Sequence, residues 1–179
     1  MKKTLVLIPL LFCLLLAGCS NAAQERFEVF SQELAQKDAL SFTARLTASY
    51  PDRTADFSLR YALEGDVQRV TVLSPGEISG ITAKVEKGAT ALEYDGLILD
   101  TGDLDAYGLT PMSALPLLVD ALRTGHPDAF WEEGGCDAVE LSVSDHCLAR
   151  VWFDGGIPCR AELQCDGVVT VACEIENWS

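Results

Sequence analysis

The sequence predicts an α+β fold that is mostly antiparallel β: a curved, incomplete β-barrel of about ten strands with helices packed on its concave side. Apolar and polar residues alternate over most of the chain, which is typical of half-buried strands. Glycine-containing turn signals separate these segments, and two other stretches show helical spacing instead. A sheet of this size usually curls or closes, so its concave side can cover the apolar stripes of both helices.

The chain opens with the layout of a secretory leader. Two lysines precede an apolar run over residues 5–16, which is too short to span a bilayer that needs about 20 residues. The run leads into Leu16-Ala17-Gly18-Cys19, which resembles the bacterial lipobox, where the cysteine receives a diacylglyceryl group and the leader is cut before it. We predict a signal peptide over residues 1–18, a lipidated Cys19 and an extracytoplasmic protein anchored to the cell membrane. The alternatives are a plain signal peptide with a chance cysteine, or a transmembrane helix.

The length and charge of the rest of the protein limit its number of domains and its partners. Removing residues 1–18 leaves 161 of the 179 residues, so after a lipidated tether over 19–23 we expect one domain over 24–179. Two lysines leave with the leader, which changes the formal net charge from −14 to −16. An acidic body is repelled by nucleic acid and by anionic lipid headgroups. We therefore expect no nucleic-acid partner.

The first half of the chain predicts one helix followed by about six strands. The helix covers residues 24–37, where Phe27, Phe30 and Leu34 share one face. From residue 41 the apolar period falls to two. A two-residue turn at Gly65-Asp66 sets Tyr61 opposite Val70 and Leu59 opposite Val72. The expected strands are 41–50, 57–63, the segment around Val70 and Val72, 78–85 with a bulge at Gly80, 91–94 and 97–99.

The second half predicts a second helix and then about four strands. Thr110 can cap a helix over residues 110–123 that ends at Gly125, and Pro116 is expected to kink or restart it. Its broad apolar stripe consists of Met112, Leu115, Leu118, Val119 and Leu122. A further short helix is expected over residues 126–131. The last strands alternate around Leu141, Val151, Ala161 and Val171, with turns at Gly155-Gly156 and Asp166-Gly167.

Three local segments are similar to those of a known protein family. They are Phe42–Tyr50, Val70-Thr71-Val72-Leu73-Ser74-Pro75 and Ile78-Ser79-Gly80-Ile81. With the order of elements, they resemble the LolA-like lipoprotein-carrier fold, and within it the Gram-positive membrane-anchored members, which include germination-linked lipoproteins. The resemblance implies an incomplete β-barrel closed by helices and a non-enzymatic role in the cell envelope. LolA itself is a soluble periplasmic carrier, whereas this chain has its own predicted anchor.

The inner face of the predicted barrel has two interpretations. Its apolar residues form an ordinary core, or they line a cavity for acyl chains or another apolar ligand, which the resemblance favours. Alternation of apolar residues does not distinguish a filled interior from a hollow one. The residues expected between the sheet and the second helix are Phe42, Leu46, Phe57, Leu59, Tyr61, Val70, Val72, Met112, Leu115, Leu118 and Leu122.

Five cysteines besides the lipobox cysteine lie in the last quarter of the chain. Their odd number leaves at least one thiol free or shared between chains, and their spacing fits no zinc pattern. A three-residue turn at 165–167 would set Cys159 opposite Cys173 on the inner face. This pair is interpreted either as a disulfide or as two buried thiols. Cys136 and Cys165 are expected to be more accessible.

Side chains suited to catalysis or metal binding are sparse. The chain has two histidines, His126 and His146. Strand neighbours point to opposite faces, so His146 and Cys147 are expected to diverge, which disfavours a Cys–His nucleophile. Three aspartates match no EF-hand spacing and are interpreted as a solvated loop rather than a calcium site: Asp100, Asp103 and Asp105. We predict no enzymatic activity, no metal and no cofactor.

Two functions from different classes follow. The first is a lipoprotein that binds an envelope protein and positions or regulates it, in a setting such as spore germination. The second is a carrier that holds lipid or another apolar ligand between sheet and helices. The first is favoured because a tethered protein cannot travel between membranes.

Overall fold

The computed structural model describes residues 18–103, 109–124 and 126–179, which form two α-helices and one 11-stranded antiparallel sheet. The helices are α1 (Gly18–Ala35) and α2 (Pro111–Thr124). The first six strands are β1 (Ala39–Ser49), β2 (Thr54–Glu64), β3 (Val67–Ser74), β4 (Thr82–Glu86), β5 (Ala89–Tyr94) and β6 (Leu97–Asp103). The last five are β7 (Pro127–Glu133), β8 (Cys136–Ser142), β9 (Cys147–Asp154), β10 (Ile157–Cys165) and β11 (Val168–Glu176).

The sheet is open, with β6 and β7 as its outermost strands and the order β6-β5-β4-β3-β2-β1-β11-β10-β9-β8-β7. Sequential hairpins build both halves, and the pairing of β1 with β11 joins them, with Leu46 opposite Cys173. Helix α2 connects the two outermost strands and packs with α1 against the inner face. The predicted curved half-barrel is therefore confirmed, with eleven strands rather than about ten.

Residues 127–133 account for the additional strand. The short helix expected at 126–131 is wrong, because Pro127–Glu133 pairs along β8 as an edge strand. Strand geometry turns Phe130 inward, where its ring lies 5.8 Å from that of Phe27, and turns Trp131 outward. Six residues are too few for a stable isolated helix, so pairing with β8 decides the conformation.

Helix α1 is longer at its start than the sequence predicted. It begins at Gly18 and ends at Ala35, so it includes residues 20–23, which were expected to form a polar tether. No glycine or proline occurs between Cys19 and Ala35, so nothing in this segment interrupts a helix. Phe27 and Leu34 are buried and Phe30 is half-buried, as the predicted stripe requires.

The register of the first hairpins agrees with the turn signals. Glu64 pairs with Val67 across Gly65-Asp66, and the predicted pairs Tyr61–Val70 and Leu59–Val72 are confirmed. Asp95 and Gly96 both adopt positive φ, at 48° and 79°, the conformation that a two-residue hairpin turn needs.

The strand expected at 78–85 is shorter than predicted. A 3₁₀ turn at Gly76–Ile78 and the positive φ of Gly80 (91°) come first, and β4 starts only at Thr82. The N–H of Gly80 still bonds the carbonyl of Val72, at 2.9 Å, so the segment stays attached to β3.

Candidate functional site

Helix α2 is fixed at its start by a reciprocal cap. The backbone N–H of Ser113 donates to Oγ1 of Thr110 at 3.1 Å, and the N–H of Thr110 donates to Oγ of Ser113 at 2.8 Å. Pro111 occupies the first helical position, where its missing N–H has no cost. The helix continues through Pro116 to Thr124, so the predicted cap is confirmed and the helix does not restart at Pro116. Gly125 lies outside the described residues.

The residues predicted to face the interior do so, and they pack together. Leu115, Leu118 and Leu122 of α2 have no exposed surface. On the sheet, the buried members of the predicted set are Phe42, Leu46, Leu59, Tyr61, Val70 and Val72, while Phe57 and Met112 are half-buried against the same cluster. Such contacts are those of a filled core.

A wide depression of about 640 Å³ lies next to two residues of this set, Leu46 and Phe57. Its lining also includes Arg45, Asp56 and Glu174, and none of its lining residues belongs to a helix. It is therefore a depression of the sheet alone with a mixed polar and apolar lining, and it differs from the site that we expected between sheet and helix.

A row of aromatic rings links α1, the sheet and the end of the chain. Phe30 lies 5.1 Å from Phe153 and 6.1 Å from Trp178, measured between ring centroids. Trp178 in turn stacks on Phe42, and Phe42 stacks on Tyr61, each at 4.8 Å. Trp178 was missed by the sequence analysis, because it follows the last strand and has no place in an alternating pattern.

A polar chain joins Tyr61 to the exposed side of α2. The Tyr61 hydroxyl donates to Oε1 of Gln68 at 2.9 Å, and Nε2 of Gln68 donates to Oδ1 of Asp120 at 3.0 Å. Burial raises the pKa of Tyr61 above its usual range, so the hydroxyl stays protonated and remains a donor. Desolvation raises the pKa of Asp120, and the bond from Gln68 opposes that shift.

The prediction that Cys159 lies opposite Cys173 is wrong, and Cys165, expected as an accessible thiol, is part of a disulfide that the sequence did not predict. Cys147 and Cys165 form a disulfide, whereas Cys159 and Cys173 are free. Cys173 is buried opposite Ala161, two residues from the position predicted for it. The turn before β11 has two residues, with Cys165 opposite Val168, and a bulge then restores the inward phase of the strand. Inward-facing residues of β10 and β11 do lie opposite each other, as expected. The feature that aligns them is a bulge in the strand pair and not the longer turn that we predicted.

The disulfide also bears on the Cys–His hypothesis. A sulfur bonded to Cys165 is no nucleophilic thiolate, so Cys147 cannot act with His146. Within the described ranges, no group of three or more His, Cys, Asp or Glu side chains could hold a metal ion. Asp105, one of the three aspartates considered for calcium, lies outside the described residues.

The outer face of β7–β10 carries an unexpected group, which we call the tryptophan cluster: Trp131, Glu133, Trp152 and Arg160. Both indole N–H groups donate to Oε2 of Glu133, at 3.2 Å from Trp131 and 2.9 Å from Trp152. These bonds, that of Trp152 first, lower the pKa of Glu133. The Arg160 guanidinium stacks 4.4 Å from the centroid of Trp152.

The tryptophan cluster lines a shallow depression. Its volume is about 410 Å³, and Glu140, Arg150 and Glu162 complete most of its rim. Arg150 bonds Glu140 at 2.8 Å and Arg160 bonds Glu162, so the charges of the rim are paired. The sequence signal for this group is an outward-facing tryptophan on each of two strands, β7 and β9. The signal in β7 was missed because residues 126–131 were expected to form a helix.

The predicted leader lies almost entirely outside the described residues. Residues 1–17 are not among the described residues, and Cys19 lies in the first turn of α1, where its side chain is not described. No helix in the described part of the chain is long and apolar enough to cross a membrane.

We compared the chain with known protein families, curated sequences and solved structures. No protein-family model and no curated protein sequence matches the chain. An uncharacterized conserved protein from Thermus thermophilus superposes with a TM-score of 0.50 at 12% identity, over 88% of this chain and 86% of that chain. A LolA superfamily protein from Nitrosomonas europaea gives 0.49 at 12% identity, over 88% and 92%. A chain in the structure of the CwlD amidase from Clostridioides difficile in complex with the GerS lipoprotein gives 0.43 at 12% identity, over 84% and 91%.

These likenesses concern the fold. The protein is an open α+β half-barrel with two helices against its inner face. The Thermus thermophilus protein shares this overall fold. Ligands and partners do not follow from a shared fold, because one fold hosts many functions.

Proposed function

We propose that this protein is a membrane-anchored, extracytoplasmic, non-enzymatic lipoprotein that binds an envelope protein and positions or regulates it. Spore germination is the setting that the sequence resemblance suggests. The lipobox-like tetrapeptide ending at Cys19 supports the anchor. The formal net charge of −14, which becomes −16 when the two leader lysines are removed, supports a body that stands off an anionic membrane.

The packed interior is the observation that carries this proposal. A lipid carrier needs apolar space between sheet and helix, yet Leu115, Leu118 and Leu122 are completely buried against the strands. The apolar gap between α1 and the sheet, beside Phe27 and Phe130, measures about 20 Å³. A single water molecule needs about 10–15 Å³ of such space, so this gap can hold about one water and is far too small for an acyl chain.

The tryptophan cluster supports a protein partner. Tryptophan and arginine are the residues most enriched among those that contribute strongly to protein–protein binding. Trp152 is only 6% exposed and supports the guanidinium of Arg160, so a partner would contact Arg160 and the half-buried Trp131 in positions that are already ordered. We propose that the partner contacts this face of β7–β10.

Stoichiometric co-purification after cross-linking on intact cells tests the binding function. We expect one envelope protein to be retained by the wild type and lost by Arg160→Ala. Arg53→Ala is the matched control, because Arg53 also stacks on an aromatic ring, that of Tyr50, at 5.4 Å, and does not belong to the tryptophan cluster. Retention of lipid in place of a protein would favour the carrier alternative.

The anchor has its own test. Cys19→Ala removes the thiol that would accept the diacylglyceryl group, so the protein should leave the membrane fraction or remain unprocessed. Cys136→Ala is the control, since it removes a free thiol elsewhere. An unchanged mass and unchanged membrane fractionation of Cys19→Ala would rule out lipidation at this position.

A further inference from the structure

The two outermost strands of the sheet are protected differently. Strand β7 starts with Pro127, carries Asp128, Glu132 and Glu133, and is contacted by α1. Proline, charge and a covering helix are the usual devices that keep an edge strand from pairing. Strand β6 has Leu97, Ile98 and Leu99 in succession at the corresponding outermost position.

The apolar side chains of β6 lie in water. Leu97, Ile98 and Leu99 are 75%, 72% and 63% exposed, and Tyr94, the partner of Leu97 in the hairpin, is 50% exposed. Leu97, Leu99 and Tyr94 share one face of this hairpin and Ile98 lies on the other, so the outermost strand carries exposed apolar side chains on both faces. Exposed apolar surface of this kind marks sites of association.

The backbone of β6 also offers unused groups at this position. In an antiparallel ladder, bonded pairs alternate with non-bonded pairs. The two-residue turn makes Tyr94–Leu97 a bonded pair, and Leu92–Leu99 is the next bonded pair. Ile98 therefore directs its N–H and C=O away from β5, toward the open side of the strand.

We propose that β6 pairs antiparallel with β6 of a second copy of this chain, around a two-fold axis at Ile98. This pairing is beyond the proposed binding function and does not depend on it. It sets Ile98 opposite Ile98 of the second copy, and Leu97 opposite Leu99 on the other face of the strands. Apolar residues then meet apolar residues at every central position, and no like charges face each other there.

A second copy fits this edge better than other occupants. A two-fold axis makes the surface complementary to itself, and the protected β7 prevents the head-to-tail contacts that would build open filaments. An anionic membrane is excluded by Asp95 at the tip of the hairpin and by the negative charge of the body. Since one strand pair buries less than the roughly 1,200 Å² of a standard interface, we expect a weak dimer with a dissociation constant of about 10–100 µM.

Charge gives the dimer a recognisable salt dependence. Each copy carries a formal net charge of −14, so the copies repel each other at long range. Salt screens this repulsion and leaves the apolar contacts intact, so the dimer should become tighter as salt rises. Binding of a basic partner at the same edge would weaken instead.

Sedimentation equilibrium of the purified protein, from about 5 to about 500 µM, tests the proposal. We expect a monomer–dimer equilibrium that shifts toward dimer between about 0.05 and 0.5 M NaCl. Ile98→Lys should weaken the dimer at least about tenfold, because it places two like charges opposite each other. Ile157→Lys is the control, at a residue 51% exposed on β10 in the middle of the sheet, and should dimerise as the wild type does.

A cysteine at the axis tests the register. Ile98→Cys should form an interchain disulfide under mild oxidation faster than Ile157→Cys, since directly opposed strand residues lie within disulfide range. A wild type that stays monomeric at every concentration would overturn the proposal. So would an Ile98→Lys variant that dimerises as well as the wild type, or cross-linking of Ile98→Cys at the rate of the control.

Discussion

The rings of Phe42 and Trp178 stack with their centroids 4.8 Å apart and an interplanar angle of 19°. This contact brings the end of the chain onto the first strand. Ser179 continues the attachment, because its N–H donates to the carbonyl of Ser41 at 2.9 Å and its carbonyl accepts from the N–H of Ser41 at 3.0 Å. The last residues therefore close one end of the half-barrel beside α1.

Replacing Trp178 tests this closure. Trp178→Ala removes stacking on Phe42 and contact with Phe30, and we expect the free energy of unfolding to fall by about 2–3 kcal/mol, less than for a fully buried tryptophan. Urea unfolding measures it. Trp178→Phe keeps a ring and should lose less than half as much. Equal losses for the two variants would show that the stacking contributes nothing.

Replacing Leu118 distinguishes a packed interior from a hollow one. Leu118→Ala should lower the free energy of unfolding by about 2–5 kcal/mol, since it leaves a void in a close-packed core. Val29→Ala, on the exposed side of α1, should change it by at most about 0.5 kcal/mol. A small loss at Leu118 together with altered binding of an apolar dye would instead indicate a cavity that exists before the mutation.

Thiol labelling tests the cysteine assignment. In the native protein Cys136 should react first, and Cys159 more slowly, because burial and then the neighbouring Cys136 raise the pKa of Cys159. Burial raises the pKa of Cys173 to about 12, so this thiol should react only after unfolding. Cys147 and Cys165 should react only after reduction. Early labelling of Cys173 would contradict the β10–β11 register.

The Asp120 carboxyl gives a pH-dependent prediction. Because desolvation raises its folded-state pKa, the ionised carboxylate opposes folding, and stability falls as the pH rises through that pKa. Asp120→Asn keeps an acceptor for Gln68 and removes the charge, so its melting temperature should exceed that of the wild type at neutral pH.

The advantage should disappear where the wild-type carboxyl is protonated. The Asp120 residue is partly covered by its neighbours but keeps a substantial exposed surface, so screening keeps the difference in melting temperature small, and this difference should vanish by about pH 3. Asp128→Asn serves as the control on an exposed carboxylate outside this polar chain. A lower melting temperature for Asp120→Asn at neutral pH would contradict the account.

Particular residues show what the sequence could and could not predict. The Gly65-Asp66 turn gave the Tyr61–Val70 pair correctly, because no irregularity lies between turn and pair. The same reasoning placed Cys159 opposite Cys173 wrongly, because a bulge after Leu163 shifts the register and leaves no mark in an alternating pattern. Local signals therefore predict strands and turns well, and long-range register less well.

The candidate site shows the same limit. Four of the five residues predicted for the apolar stripe of α2 are buried and Met112 is half-buried, because helical periodicity is a local property. The helix also buries small residues that the stripe did not include: Ser113, Ala114, Pro116 and Ala121. The tryptophan cluster was not predicted, because it unites strands β7, β9 and β10 and depends on β7 being a strand. Residues 127–133 form a strand because they pair with β8, and strand pairing is a tertiary property that a local pattern does not reveal.

The central claim is that this half-barrel has a filled interior and acts by binding protein. Native mass spectrometry of the purified protein, with Cys19→Ala to remove the anchor, tests it most directly. We predict the mass of the polypeptide, less two hydrogens for the Cys147–Cys165 disulfide, with no lipid bound. A stoichiometric lipid adduct that persists through gel filtration, and that Leu118→Ala alters, would contradict the claim.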